Sequence, residues 1–275
     1  MTSSEPTPVL AAETLGLGTG FAANKAVPTD ELAGLRLSLT DGDRTTEYVF
    51  DSATELRWRS GGDGDRYHAE TYEALKPAVG LYVVGFSSSE DSSSAVELAI
   101  DVTHGRALVL HQRLEATAPG VPSVVQVTEL PSVTGGPAGT TTAEFEPIGR
   151  SSDLNGVRAL WEYSADDVYE HIYLNDEWYV WHCLAGEEYP LADTDPCRVY
   201  KLRDGIYALT FSEKVLSMGA LMVLDFDGLR SYCAAFGSES DGNRPSHFLF
   251  GAYGRILSRT VYPQPLSARE GGAAA

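Results

Sequence analysis

VYEHIYLNDEWYVWHCLAGEE, residues 168–188, sets the reading of the whole chain. Aromatic and β-branched residues flank an Asn175-Asp176-Glu177 break, which is the pattern of two antiparallel strands joined by a short turn. Side chains alternate faces along a strand, so Tyr169, His171 and Tyr173 share one face of the first strand. On the return strand Tyr179, Trp181 and Cys183 share one face, with Trp178, Val180 and His182 on the other. So many aromatic rings with polar tips suit the wall of a pocket better than a solvent-facing hairpin.

Outward from this hairpin the same pattern recurs. From Leu32 the chain runs through short alternating stretches, GLRLSLT, TTEYVF, TELRWRS, VGLYVVGFS, VELAIDV and RALVLHQRL, separated by Asp/Gly turns and with no amphipathic helix between them. That is an antiparallel meander. Leu32-Ala-Gly34-Leu35-Arg36 is echoed by Leu154-Asn-Gly156-Val157-Arg158, Trp58 by Trp181, Tyr82 by Tyr207, Phe86 by Phe211 and Asp101 by Asp225. The near-constant offset means an internal duplication of one β unit. Units of this size close into small barrels, which removes their edges. The expected fold is therefore all-β: two antiparallel barrels from a duplication. The expected organisation is a flexible N-terminal segment (1–31), a first barrel (32–114), a Pro/Gly-rich linker or arm (115–150), a second barrel carrying the site (151–262) and a disordered tail (263–275).

The 275 residues carry a formal net charge of −19, with 39 acids against 20 bases. Such acidity argues against a nucleic-acid partner, which needs a basic footprint. No apolar run is long enough for a membrane helix and the N-terminus lacks a signal-peptide pattern. Three cysteines do not make a disulfide scaffold, so the cytoplasm is the expected compartment. Gly16-x-Gly18-x-Gly20 follows no strand and lacks the third spacing of a nucleotide loop.

The chain resembles the MoaF family, which is built from two lipocalin-like (calycin-type) domains. His171 to Asn175, Trp181-His182-Cys183 through Gly186, Leu191 to Asp195 with Cys197, and Tyr207 through Lys214 carry the likeness. Asn24, Pro28 and Leu32-Ala-Gly34 fit the family's opening. The family's name implies a link to molybdenum cofactor synthesis, but no phosphate-cradling loop or basic cluster for a pterin phosphate is present. The second half also resembles phenolic acid decarboxylases, cofactor-independent barrels acting on hydroxycinnamic acids, through Tyr169-Glu170, Ala185-Gly186, Val199 to Leu202, Gly205 to Tyr207 and Phe211 to Glu213. That resemblance implies proton transfer by Glu213 and a substrate-binding role for Tyr163, with Trp161 at the second tyrosine position. It also puts Glu187 where those enzymes have an arginine. A glutamate repels the carboxylate that an arginine would clamp, so a neutral or phenolic substrate fits better.

Glu213 shares a strand face with Tyr207, Leu209 and Phe211. Facing into a barrel, its carboxyl would be desolvated toward a useful acid/base pKa. Its counterpart in the first repeat is Ser88, so a site kept in one copy lies in the second barrel. His171 and His182 sit on opposite strands of the hairpin and are candidates to face each other, with Tyr173 as phenolic donor. A metal would want three or four matched ligands, and no CxxC or HxH spacing is present, so neither metal nor cofactor is expected. His68, Glu70 and Tyr72 form a second polar group in the first barrel, read as structural or accessory.

The expected function is a cofactor-independent lyase or isomerase/cyclase for a small aromatic or polyunsaturated metabolite. Glu213, His182, His171 and Tyr173 would act in catalysis, and Trp161, Tyr163, Tyr169, Trp181, Glu187 and Tyr207 would bind substrate. The alternative is a non-catalytic carrier using the same pocket. Expected partners are the small molecule and, at most, a second copy of the chain.

Overall fold

The computed structural model describes residues 20–115, 124–137, 147–213, 217–238 and 244–262. The expected tail and residues 1–19 of the expected N-terminal segment lie outside them. All regular elements among the described residues are strands, and no helix there is long and apolar enough to cross a membrane.

The first barrel comprises β1 (Arg36–Asp41), β2 (Arg44–Phe50), β3 (Glu55–Ser60), β4 (His68–Thr71), β5 (Glu73–Ala78), β6 (Leu81–Ser87), β7 (Ser94–Asp101), β8 (Arg106–Glu115) and β9 (Val124–Pro137). Every pairing is antiparallel, in the order β4-β3-β2-β1-β9-β8-β7-β6-β5. The outer members, β4 and β5, are consecutive in the chain and separated only by Tyr72, so one bent segment joins the two ends of the sheet. The period-2 pattern turns Leu37 and Leu39, Tyr48 and Phe50, Leu56 and Trp58, Leu98 and Ile100 into a common interior.

β9 corrects the linker reading of 115–150. Residues 124–137 pair with both β1 and β8 and complete the barrel wall. Their turn-like sequence has a physical use. The ladder with β8 shifts register between Ala107 and Val109, opposite the Pro131 region. Gly135 has φ +141, and a Cβ there would lie 1.9 Å from the Ser38 carbonyl oxygen, so only glycine allows β9 to approach β1.

The second barrel comprises β10 (Gly149–Arg150), β11 (Val157–Glu162), β12 (Val168–Tyr173), β13 (Trp178–Ala185), β14 (Ala192–Arg203), β15 (Ile206–Ser212), β16 (Met218–Asp225), β17 (Arg230–Ser238), β18 (Pro245–Phe250) and β19 (Tyr253–Arg259). β14 pairs β13 with its first half and β15 with its second, closing the ring. β18 and β19, split at Gly251-Ala252, pair β17 and β11. The duplication is visible in the register: Tyr48 faces Trp58 across β2–β3 just as His171 faces Trp181 across β12–β13.

The barrels lie wall to wall. Leu81, Val83, Ala99, Leu108 and Leu110 from β6–β8 pack with Ile206, Ala208, Val223, Tyr232 and Ala234 from β15–β17 in one apolar cluster. At its edge Arg203 forms a two-pronged pair with fully buried Asp101, at 2.7 and 3.0 Å.

Residues 20–31 are not a flexible lead-in. The turn at Gly20–Ala23 lays Phe21 into the second barrel, where it is 4% exposed. The Asn24 amide donates to the Tyr163 carbonyl (2.9 Å), its side chain donates to the Glu162 carbonyl (2.8 Å), and Arg230 caps the Asn24 carbonyl (3.0 Å).

Candidate functional site

The β12–β13 hairpin builds one wall of the site. Tyr169 lies opposite Cys183, His171 opposite Trp181 and Tyr173 opposite Tyr179, and all six face inward and are buried. The Trp181 indole N–H donates to Asp195 Oδ2 at 2.7 Å, and Asp195 sits across from Tyr179 on β14. That bond fixes the Trp181 ring and gives a buried carboxylate a donor. β15 contributes Phe211, its ring 5.3 Å from Tyr179, and Glu213 follows it at the mouth of the β15–β16 turn. Met218 and Met222 of β16 and Phe250 of β18 close the opposite side. Phe21 forms the lid, stacked at 4.2 Å on Tyr163 and edge-on at 5.4 Å to both Tyr169 and Phe250. With that ring in place about 30 Å³ stays open, room for a water rather than a metabolite.

The electrostatics of this interior are uniform in sense. Desolvation drives the Glu213 carboxyl well above its ordinary value, and the negative charges of Asp195, Glu188 and Asp193 push the same way. The residue keeps some accessible surface, but protein closes around its carboxyl. Glu188 is also raised by desolvation, against the Tyr169 hydroxyl that donates to it at 2.7 Å. Burial lowers His171 to about 3, so its imidazole is neutral. Tyr173 reaches His171 Nδ1 at a long 3.5 Å, with the phenol as the natural donor. Burial raises the phenols of Tyr163 and Tyr179 as well, so both keep their protons. Among the described lining residues none is cationic. The pocket therefore favours neutral acids over charges, and can offer several hydrogen-bond donors to an oxygen on an aromatic guest.

Of the residues expected from sequence, Glu213, His171, Tyr163, Tyr169 and Trp181 converge on this pocket. Tyr173 stands one layer behind His171. Three expectations need correction. His182 does not face His171: the register places it opposite Glu170, on the outer face, where its Nδ1 lies 3.6 Å from a carboxylate already paired with Arg158. Glu187 is exposed, and Glu188 takes its place inside. Trp161 and Tyr207 are buried in the same barrel but outside the lining: Trp161 packs on Phe226, and Tyr207 donates to Asp153 at 3.1 Å. Among the described residues no group of three or more His, Cys, Asp or Glu side chains could hold a metal ion.

Sequence reasoning missed Tyr179, Glu188, Phe211 and Phe21 as site residues. Alternation with Trp181 and with Glu213 would have found Tyr179 and Phe211. Glu188 turns inward because Gly186, at φ +129, breaks the alternation; a Cβ there would sit 2.9 Å from Asp167. Nothing local marks Phe21, which arrives from the far side of the first barrel.

Comparison with known proteins gives two domain matches in tandem. Residues 13–116 match the MoaF N-terminal domain and residues 148–260 the MoaF C-terminal domain. Protein MoaF from Klebsiella aerogenes is 34% identical over 117 residues, covering 42% of this chain and 45% of that protein, so the match spans less than half of the relative's length. Among solved structures, a protein of unknown function in the DUF3598 family from Nostoc punctiforme aligns over 85% of this chain and 97% of its own, at 15% identity and a TM-score of 0.34, too low to carry an argument.

Proposed function

This chain belongs to the MoaF family, and from that premise we propose that its second barrel is a cofactor-independent acid/base catalyst, a lyase or an isomerase/cyclase, for a small neutral or phenolic metabolite with an aromatic or polyunsaturated body. One observation carries the reading: Glu213 places its carboxyl inside an aromatic pocket whose described lining offers no cation, where desolvation pushes its pKa well above the ordinary value. A carrier has no use for such a group, whereas proton transfer to a conjugated carbon or oxygen requires it. Glu213 delivers its proton to the substrate, and Glu188, whose charged form the Tyr169 hydroxyl supports by donating to it at 2.7 Å, removes one from another position. The pair is left one proton displaced and is reset by exchange at the mouth. Neutral His171 and the Tyr163 and Tyr179 phenols orient and polarise the substrate's oxygen. The substrate ring takes the berth of the Phe21 ring on Tyr163. Without a cation, a carboxylate substrate finds no clamp, which disfavours decarboxylation of a hydroxycinnamate. Three free and buried cysteines suit a reducing, cytoplasmic setting.

The test incubates the chain and its Glu213→Gln variant with phenols, phenylpropenes, hydroxycinnamic acids and polyenes, following absorbance and mass. Turnover by the wild type alone supports the reading. Binding without chemical change, retained in the variant, replaces it with a carrier. No response to any aromatic or polyene overturns the substrate class.

A further inference from the structure

The first barrel also has a hollow at the place that corresponds to the site just described. Thr46, Tyr48 and Phe50 stand where the second barrel has Tyr169, His171 and Tyr173, and Trp58 and Ser60 where it has Trp181 and Cys183. Thr46 pairs with Ser60 across β2–β3, as Tyr169 pairs with Cys183. The smaller pair leaves space: this hollow measures about 370 Å³, against about 30 Å³ in the second barrel. That lies within the range of ligand pockets, about 300–1,000 Å³.

Its polarity is the opposite of its counterpart's. Alternation along β2 sets Arg44 on the inward face with Thr46, Tyr48 and Phe50, and alternation along β8 sets His111 there with Ala107 and Val109. The Arg44 Nε donates to Ser60 Oγ at 2.8 Å, which aims the guanidinium and leaves its two terminal nitrogens uncommitted. No carboxylate pairs with it among the described residues. Asp41, opposite Arg44 at the β1–β2 turn, also lines the hollow but makes no ion pair with the guanidinium. His111 stands at the rim, exposed on one side, where desolvation first and Arg44 second hold its ring below the ordinary value, and Arg44 also opposes the upward push of burial on the Tyr48 phenol. The indole N–H of Trp58 is buried and without an acceptor. Apolar Val96, Val109 and Leu130 line the depth of the hollow.

A guanidinium at the mouth, neutral donors below it and an apolar floor are what a small organic acid needs. We propose that the first barrel carries a second small-molecule site, specific for an organic carboxylate with an apolar body. Its carboxylate is held by Arg44 with Tyr48 and His111, and its body is seated against Trp58. The two barrels thus divide ligand classes, an anion in the first and a neutral molecule in the second, and the first is more than the structural or accessory unit expected from sequence.

Calorimetry on the full chain tests this with acetate, 3-phenylpropionate and laurate, and with 3-phenylpropanamide as the uncharged control. The expected result is binding of an apolar carboxylate in preference to acetate and to the amide. It should weaken about tenfold or more in Arg44→Gln, the loss of a charge-assisted pair, and stay unchanged in Glu213→Gln. Thr46→Trp, which fills the hollow and keeps the charge, should also abolish it while circular dichroism stays native. Absence of carboxylate binding overturns the proposal, as does binding that survives Arg44→Gln and Thr46→Trp. Loss in Glu213→Gln alone would move the ligand to the second barrel and overturn it equally.

Discussion

Phe21→Ala tests whether the berth described in the second barrel is real. The ring is 4% exposed and touches three others, stacked on Tyr163 at 4.2 Å and edge-on to Tyr169 and Phe250 at 5.4 Å. Truncating a buried phenylalanine costs about 3–5 kcal/mol, the upper part when neighbours cannot collapse. Here the strand walls are hydrogen-bonded all round, and the backbone that carries Phe21 is pinned at Asn24 from both sides. Even the lower bound, about 3 kcal/mol, lowers the melting temperature by roughly 6–12 °C for a unit of this size. The vacated space is lined by aromatic rings and has the shape of one ring, so phenol should bind it. At a concentration of about 100 Kd, phenol returns about 2.7 kcal/mol, most of the loss. Thermal melts of both proteins with and without phenol read this directly. A variant that melts within about 2 °C of the wild type, or that phenol stabilises no more than the wild type, refutes Phe21 as the occupant of the site.

Other outcomes follow from charges. Glu213 is raised above its ordinary 4.5, so its contribution is fully present below that value and is lost as pH rises toward its folded pKa. Glu213→Gln should therefore gain stability relative to the wild type as pH rises above about 4.5, seen in paired urea melts; parallel curves would mean that the carboxyl ionises normally. His171 is lowered from 6.5 to about 3, so its contribution is present above 6.5 and drains away as pH falls toward 3. Its ring resonances in proton–nitrogen spectra should not move between pH 8 and about 5. Arg203→Met takes the guanidinium from fully buried Asp101, which keeps the His104 amide and ring at 3.1 and 2.8 Å, and should cost about 3 kcal/mol in chemical denaturation, the low end for a broken buried pair. A loss below about 0.5 kcal/mol would show that the pair is solvated.

The strands and the duplication were legible in sequence because both rest on local rules: alternation, turn chemistry and a repeated landmark spacing. Alternation also gave the inward faces of β12 and β13 and pointed Glu213 into the barrel. It could not give the register. Whether His171 meets Trp181 or His182 depends on a one-residue difference in pairing, which reverses every face. β9 was hidden for a different reason. Pro131 and Gly135 look like turn residues, but the bulge and the close approach to Ser38 are tertiary demands that no window of sequence reveals. Phe21 belongs with them: its burial is decided by a barrel encoded far downstream.

The wall between the barrels is made from matching places in the two repeats. Leu81 and Ile206, Val83 and Ala208, Ala99 and Val223, Leu108 and Tyr232, Leu110 and Ala234 are counterparts at offsets of 124 or 125 residues, and β7 touches β16, its own equivalent. The two repeats thus turn the same sheet face toward each other, although β17 reaches across β5, β6, β7 and β8 and the packing is not a strict two-fold. Carrying both repeats in one chain frees the halves from identity: one pocket can keep an arginine and the other a glutamate, a divergence closed to a dimer built from a single gene.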